Sequence, residues 1–175
     1  MNVKRLTSLA MLIALYIVLS ILTPVKIANF KFTFEAFPIL VAGLLLGPMD
    51  GLMVGGIGSF IYQLLFSGYG VTATTMLWVL PHACSGLIVG FYARMKNFEL
   101  NQQQIIFISI LSSFTVTALN LLALYIDSKL FGYYSFALVF GNLLIKIIVG
   151  IILSVIYSMI LPKLLAFLKK QIQNH

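Results

Sequence analysis

The sequence predicts an all-α integral membrane protein of six transmembrane helices, with both termini in the cytoplasm. Three observations lead there. The 175 residues are 61% hydrophobic and 9% charged, with a mean hydropathy of +1.08, whereas a soluble domain is about half apolar and a quarter charged. Several apolar runs approach the roughly 20 residues that a helix needs to cross a bilayer. The cations gather at the ends of those runs, where they anchor and orient helices. A net charge of +7 in a soluble protein would suggest nucleic acid, but this placement of the cations points to the lipid bilayer and to no nucleic-acid partner. The lone Cys84 supports neither an intrachain disulfide nor a zinc cluster, and reads as a small apolar packing residue. Residues 1–175 read as one domain without internal repeats.

The first helix is predicted over residues 5–22. Lys4-Arg5 before an apolar run resembles a secretory leader, but Thr23-Pro24-Val25-Lys26 is no small-residue cleavage site, so the run is kept as a membrane helix. Its Ala10-x-x-x-Ala14 puts two small residues on one face, where another helix can come close. Residues 23–34 read as a loop. The second helix, 36–47, is too short to span untilted. Phe32-Thr-Phe-Glu-Ala-Phe-Pro38 sets Glu35 among three aromatics at its mouth, and the other helices are expected to pack around it.

Gly47-Pro-Met-Asp-Gly51 reads as a turn into a third helix, 51–66, on which Gly51, Gly55 and Gly58 leave one face nearly bare. Ser67-Gly-Tyr-Gly70 ends that helix. The fourth, 72–94, carries Gly86-x-x-x-Gly90 and a proline, Pro81, that is expected to kink it. Residues 96–104 are polar. A fifth helix is predicted at 105–125, a loop at 127–134, a sixth helix at 135–161, and a basic amphipathic tail at 162–175. With the termini inside, Lys4, Arg5, Arg94, Lys96, Lys163, Lys169 and Lys170 are cytoplasmic, and Lys26, Lys31 and Lys129 lie outside. That asymmetry satisfies the positive-inside rule.

Lys146 is the most pointed candidate. It falls about 10 residues, or about 15 Å, into the sixth helix, where a lysine either faces the bundle interior or snorkels to the interface. Asn142 lies one turn earlier on the same face. Gln63 and Asn120 are amides among apolar residues, suited to interhelical hydrogen bonds or to a ligand. Trp78 and His82 are one turn apart beside Pro81; each has an ordinary role, in the interfacial belt and in the core, as well as a ligand role. Glu35 is either an exposed loop carboxylate or one partly buried by Phe34 and Phe37. Tyr69 and Tyr125 are loop-edge aromatics that suit a flat ligand or the interface. No His-Glu-x-x-His, Gly-x-Ser-x-Gly or phosphate-binding loop is present, so no catalytic residue, metal ligand or cofactor is expected.

The run Phe34-Glu-Ala-Phe-Pro-Ile-Leu-Val-Ala-Gly-Leu-Leu-Leu-Gly-Pro-Met-Asp-Gly-Leu-Met-Val-Gly55 resembles the substrate-binding (S) components of energy-coupling factor (ECF) vitamin transporters. Ala10-x-x-x-Ala14, Asn142-x-x-x-Lys146 and the six-helix plan extend that resemblance over nearly the whole chain. It implies a non-enzymatic subunit of a bacterial plasma-membrane importer. Such a subunit binds a vitamin or precursor in an outward-facing pocket and pairs with a transmembrane coupling protein and two ATPase subunits. It further implies that Ala10 and Ala14 meet the coupling protein, that the loop 23–33 gates the pocket, and that Asn142 and Lys146 touch ligand. Folate-type members carry a Pro-Gly-Phe-Thr-like run before the fourth helix, where this chain has Val71-Thr-Ala-Thr-Thr-Met-Leu-Trp-Val-Leu-Pro81. Glu35, His82, Asn120 and Asn142 suit a small ring bearing an amino group, so hydroxymethylpyrimidine is expected ahead of pantothenate or folate. The competing reading is a small oligomeric channel or secondary carrier, although no inverted repeat supports it.

Overall fold

A computed structural model describes residues 3–23, 25–27, 30–32, 34–68 and 71–173. The chain forms α1 (Val3–Leu22), a short antiparallel hairpin of β1 (Val25–Ile27) and β2 (Phe30–Phe32), and then α2 (Ala36–Leu46) and α3 (Pro48–Leu65). These are followed by α4 (Thr75–Met95), α5 (Gln102–Leu130), α6 (Phe136–Phe140) and α7 (Leu143–Gln173). The architecture is helical, as the composition requires. Among the described residues, four stretches are long and apolar enough to cross a bilayer: Val3–Leu22, Thr75–Met95, Gln102–Leu130 and Phe136–Leu168. Their outward faces remain apolar, with Ile148, Ile152, Val155 and Met159 exposed along α7. A helix that is apolar all round belongs in lipid.

The core is organised on α2. Every residue from Pro38 to Leu44 is buried. Leu40, Val41 and Leu44 pack with Val89 of α4, Ile108 of α5 and Leu161 of α7. Ile39 and Ala42 pack on the other side with Leu9 and Tyr16 of α1 and Val54 of α3.

Glycine sets the closest crossing. A Cβ on Gly51 or Gly55 of α3 would strike the Gly86 or His82 carbonyl of α4, and one on Gly86 would strike Gly51 in return. Gly51 and Gly55 of the bare face read from the sequence are therefore the contact that seats α3 against α4, as small residues allow in membranes, whereas Gly58 makes room for the Tyr16 side chain of α1.

Several predicted boundaries shift. Residues 47–51 are not an extended turn: Gly47 alone turns the chain, with φ of 109°, and Pro48 opens α3, where its missing N–H costs nothing. The predicted loop 23–34 contains the hairpin. α4 is continuous through Pro81 from Thr75 to Met95. α5 starts three residues early because Asn101 and Gln104 form a reciprocal capping box, at 2.9 and 3.0 Å. It also runs past Tyr125 into the predicted loop 127–134. Its stop is Gly132, with φ of 77°, where the Tyr133 amide donates to the Ser128 carbonyl at 3.0 Å. The predicted sixth helix is broken at Gly141 and Asn142, so Lys146 falls in the first turn of α7 rather than about 10 residues into a continuous helix. The predicted tail is helical to Gln173, with Pro162 inside α7.

At the end of the bundle where α1 and α3 begin, Asp50 is buried and Arg5 grips both its oxygens, Nε at 2.9 and 3.2 Å and Nη2 at 2.6 Å. Truncating one partner of a buried pair leaves a buried charge unpaired. Because the Arg5 side chain is 48% exposed, Arg5→Ala is expected to cost about 2 kcal/mol rather than the full penalty. Denaturant unfolding in detergent would read this, and an unchanged midpoint would remove the pair from any role in stability.

Candidate functional site

A cavity of about 400 Å³ opens between the helices, and every helix except the five-residue α6 contributes to its wall. The size suits a small molecule, since ligand pockets run from about 300 to 1,000 Å³.

Glu35 enters from the mouth of α2. It occupies the N-cap position with helical backbone, and its side chain does not cap the helix. The carboxylate accepts from the Ser20 hydroxyl instead, with Oε2 at 2.7 Å. Its Oε1 lies 3.6 Å from His82 Nε2, which is charge proximity but too long for a hydrogen bond. The ring of Tyr16, fully buried, meets the His82 ring edge-on at 5.6 Å. Phe34 and Phe37, which flank Glu35, pack on the Tyr157 ring at 6.2 and 5.8 Å, and the Glu35 side chain is 21% exposed. Partial burial is therefore the outcome for this carboxylate. His82 owes its position to the α3–α4 crossing, because Gly55 lies directly against its carbonyl.

α5 and α7 supply much of the rest of the wall. Lys146 lines the cavity from α7, and Asn120 lines it from α5. Gln63 of α3 and Trp78 of α4 line it as well. The structure thus brings Glu35, Gln63, Trp78, His82, Asn120 and Lys146 around one space. Asn142 and Tyr125 are not part of its wall. Asn142 sits at the turn before α7, where its carbonyl accepts the Lys146 amide at 3.1 Å. Tyr125 packs edge-on against Tyr134 at 5.6 Å, with the Lys129 ammonium 5.9 Å from its ring centre. Tyr69 lies outside the described residues. Ala10 and Ala14 are both exposed on α1.

Hydroxyl residues make up much of the wall and were not singled out in the sequence. Ser109, Ser112, Ser113 and Thr117 of α5 line the cavity together with Ser59, Ser154 and Tyr157. The spacing on α5 is three or four residues, which is one helix face. That polar stripe on an otherwise apolar helix was the available cue. Three buried polar atoms among the described residues have no hydrogen-bond partner: His82 Nδ1, Ser109 Oγ and Tyr157 Oη. All three residues line the cavity.

A lipid-facing helical bundle closed around a small, polar-lined cavity is the form of a membrane protein that binds a small molecule. Sequence comparison gives the family. Residues 4–162 match the family described as "ECF transporter, substrate-specific component", and the chain belongs to that family of transporter substrate-binding components. No curated protein matches in sequence. Among solved structures, FolT bound with folic acid is similar at 22% identity and a TM-score of 0.70, covering 91% of this chain and 93% of that one. The S component for biotin from an ECF-type ABC transporter is similar at 21% identity and a TM-score of 0.62, covering 90% of each chain. At these identities the likeness is one of fold.

Proposed function

We propose that this chain is the high-affinity substrate-binding subunit of an ATP-driven importer in a bacterial cell membrane, and that its ligand is a B-vitamin or vitamin precursor, hydroxymethylpyrimidine first. In this reading it crosses the membrane six times with both termini in the cytoplasm. It works with a transmembrane coupling protein and two ATPase subunits, which supply the energy.

The observation that carries the reading is the cavity itself, small, lined by the neighbouring Glu35 and His82 and by Lys146. A carboxylate is an acceptor only, and so takes hydrogen bonds from an exocyclic amine. His82 is a ring neighbour able to donate or accept. Tyr62 and Trp78, also in the wall, offer faces for a flat heterocycle. Lys146 favours a second reading, because it suits the carboxylate of pantothenate or of folate.

The deciding experiment is mass spectrometry of small molecules released from gently purified protein expressed in rich medium. A pyrimidine, pantothenate or folate at near one per chain supports the reading and fixes the substrate. An empty protein that shows no thermal shift with a vitamin panel, yet supports flux in vesicles by itself, would move the chain to the channel or carrier class.

The exposed Ala10 and Ala14 suit close approach by a helix of the coupling protein. Ala10→Trp with Ala14→Trp is therefore expected to leave ligand binding intact and to abolish co-purification with the coupling subunits. Normal assembly of the double variant would refute that interface.

A further inference from the structure

We infer that the Tyr157 end of the cavity is a subsite for an uncharged hydrogen-bonding group, a hydroxyl or carbonyl read by Ser109 Oγ and Tyr157 Oη. The inference rests on the cavity being the substrate site, and it adds which part of the ligand goes where.

The buried hydroxyls around the cavity differ in whether the protein itself uses them. Three are used by the protein itself. Ser112 bonds to Ser85 at 2.6 Å, Ser154 donates to the Gly150 carbonyl at 2.7 Å, and Ser59 donates to the Gly55 carbonyl at 2.6 Å. Ser109 is 2% exposed and Tyr157 4% exposed, yet neither hydroxyl has a partner. Native proteins keep few such groups, and those they keep call for an explanation. A ligand atom between them supplies one.

The two hydroxyls belong to the same stretch of one seam. α5 and α7 run antiparallel, since a Cβ on Gly150 would meet Ser113 and Ser154 Oγ lies 3.1 Å from the Ser109 carbonyl. Tyr157 follows Ser154 by three residues, which is less than one helical turn. Lys146 is 11 residues away along α7, about 16 Å at the helical rise.

Charge fixes the kind of group. Glu35 is on the Tyr157 side, because the phenylalanines on either side of it pack on the Tyr157 ring. A carboxylate placed there would face Glu35 and neutral hydroxyls, and a buried anion without a cation is costly. A hydroxyl or carbonyl meets the two orphan hydroxyls without that conflict. Any anionic part of the ligand therefore points towards Lys146.

The test uses the full chain in lipid nanodiscs, with Ser109→Ala and Tyr157→Phe. Both variants remove only an unpartnered oxygen, so both are expected to melt no lower than wild type without ligand. The probes are hydroxymethylpyrimidine and the analogue in which the hydroxymethyl is a methyl. Wild type is expected to prefer the hydroxymethyl compound by tenfold or more. Each variant should bind it about tenfold more weakly, with the preference between the two probes reduced to threefold or less. Unchanged affinity and unchanged preference in both variants would overturn the subsite while leaving the proposed function standing. If wild type takes pantothenate, folic acid or biotin instead, the same variants are titrated with that compound, and a tenfold loss or none decides equally. A wild type that binds no compound of a full vitamin and precursor panel overturns the proposed function, and the subsite with it.

Discussion

Glu35→Gln is expected to lower affinity for an aminopyrimidine by about 100-fold, about 2.7 kcal/mol, with little change in the unfolding midpoint. Among the described residues, the carboxylate is the only acidic side chain in the cavity wall. Hydrogen bonds to a charged group are worth about 1.5–3 kcal/mol, more than neutral ones. Glutamine keeps the shape and one acceptor oxygen but removes the charge. It also presents an NH₂ where an incoming amine needs an acceptor. Ser20, which now donates to Oε2 at 2.7 Å, can still donate to the amide oxygen, so the local fold should hold. Calorimetric titration in nanodiscs reads the result. Affinity within twofold of wild type would remove Glu35 from ligand contact and leave it as a packing carboxylate.

The largest effect on stability is expected at the α3–α4 crossing. Gly86→Ala places a Cβ against the Gly51 carbonyl and Gly51→Ala places one against the Gly86 carbonyl. The obstacle in each case is backbone, which cannot rotate out of the way. Overpacking of this kind costs about 3 kcal/mol. Because Gly55 abuts the His82 carbonyl in the same seam, a displaced α4 would also carry His82 away from Glu35, and binding should fall with stability. Gly56→Ala is the control on the same helix, where the new Cβ would make only an ordinary contact, 3.5 Å from Ala83. Alanine's better helix propensity, worth up to about 1 kcal/mol, should leave that variant at least as stable as wild type. Equal melting temperatures for Gly86→Ala and Gly56→Ala would show that the crossing is not held by close backbone approach.

Composition and apolar run length determined the membrane class, the helical architecture and the shortness of the second helix. Those properties follow from what a bilayer demands of a backbone, namely internal hydrogen bonding along an apolar stretch of set length. The glycine spacings were likewise legible as a face of close contact, because a missing side chain has one main use there. Helix ends were less legible. In α5 a polar stretch read as a loop was absorbed into the helix, and a capping box and Gly132 set the limits instead.

Which face of each helix turns inward was decided only by the tertiary structure. In a soluble protein the apolar stripe marks the buried side. Here lipid and core are both apolar, so hydrophobic residues cover α7 on both sides and periodicity carries little information. Ionisable and amide residues stood out one at a time, and five of them meet around the cavity with Trp78. The serines of α5 did not stand out, since serine in a membrane helix can satisfy itself on the preceding turn, as Ser154 and Ser59 do. That Ser109 and Tyr157 remain without partners is a property of how α5 and α7 dock, and no reading of either helix alone contains it.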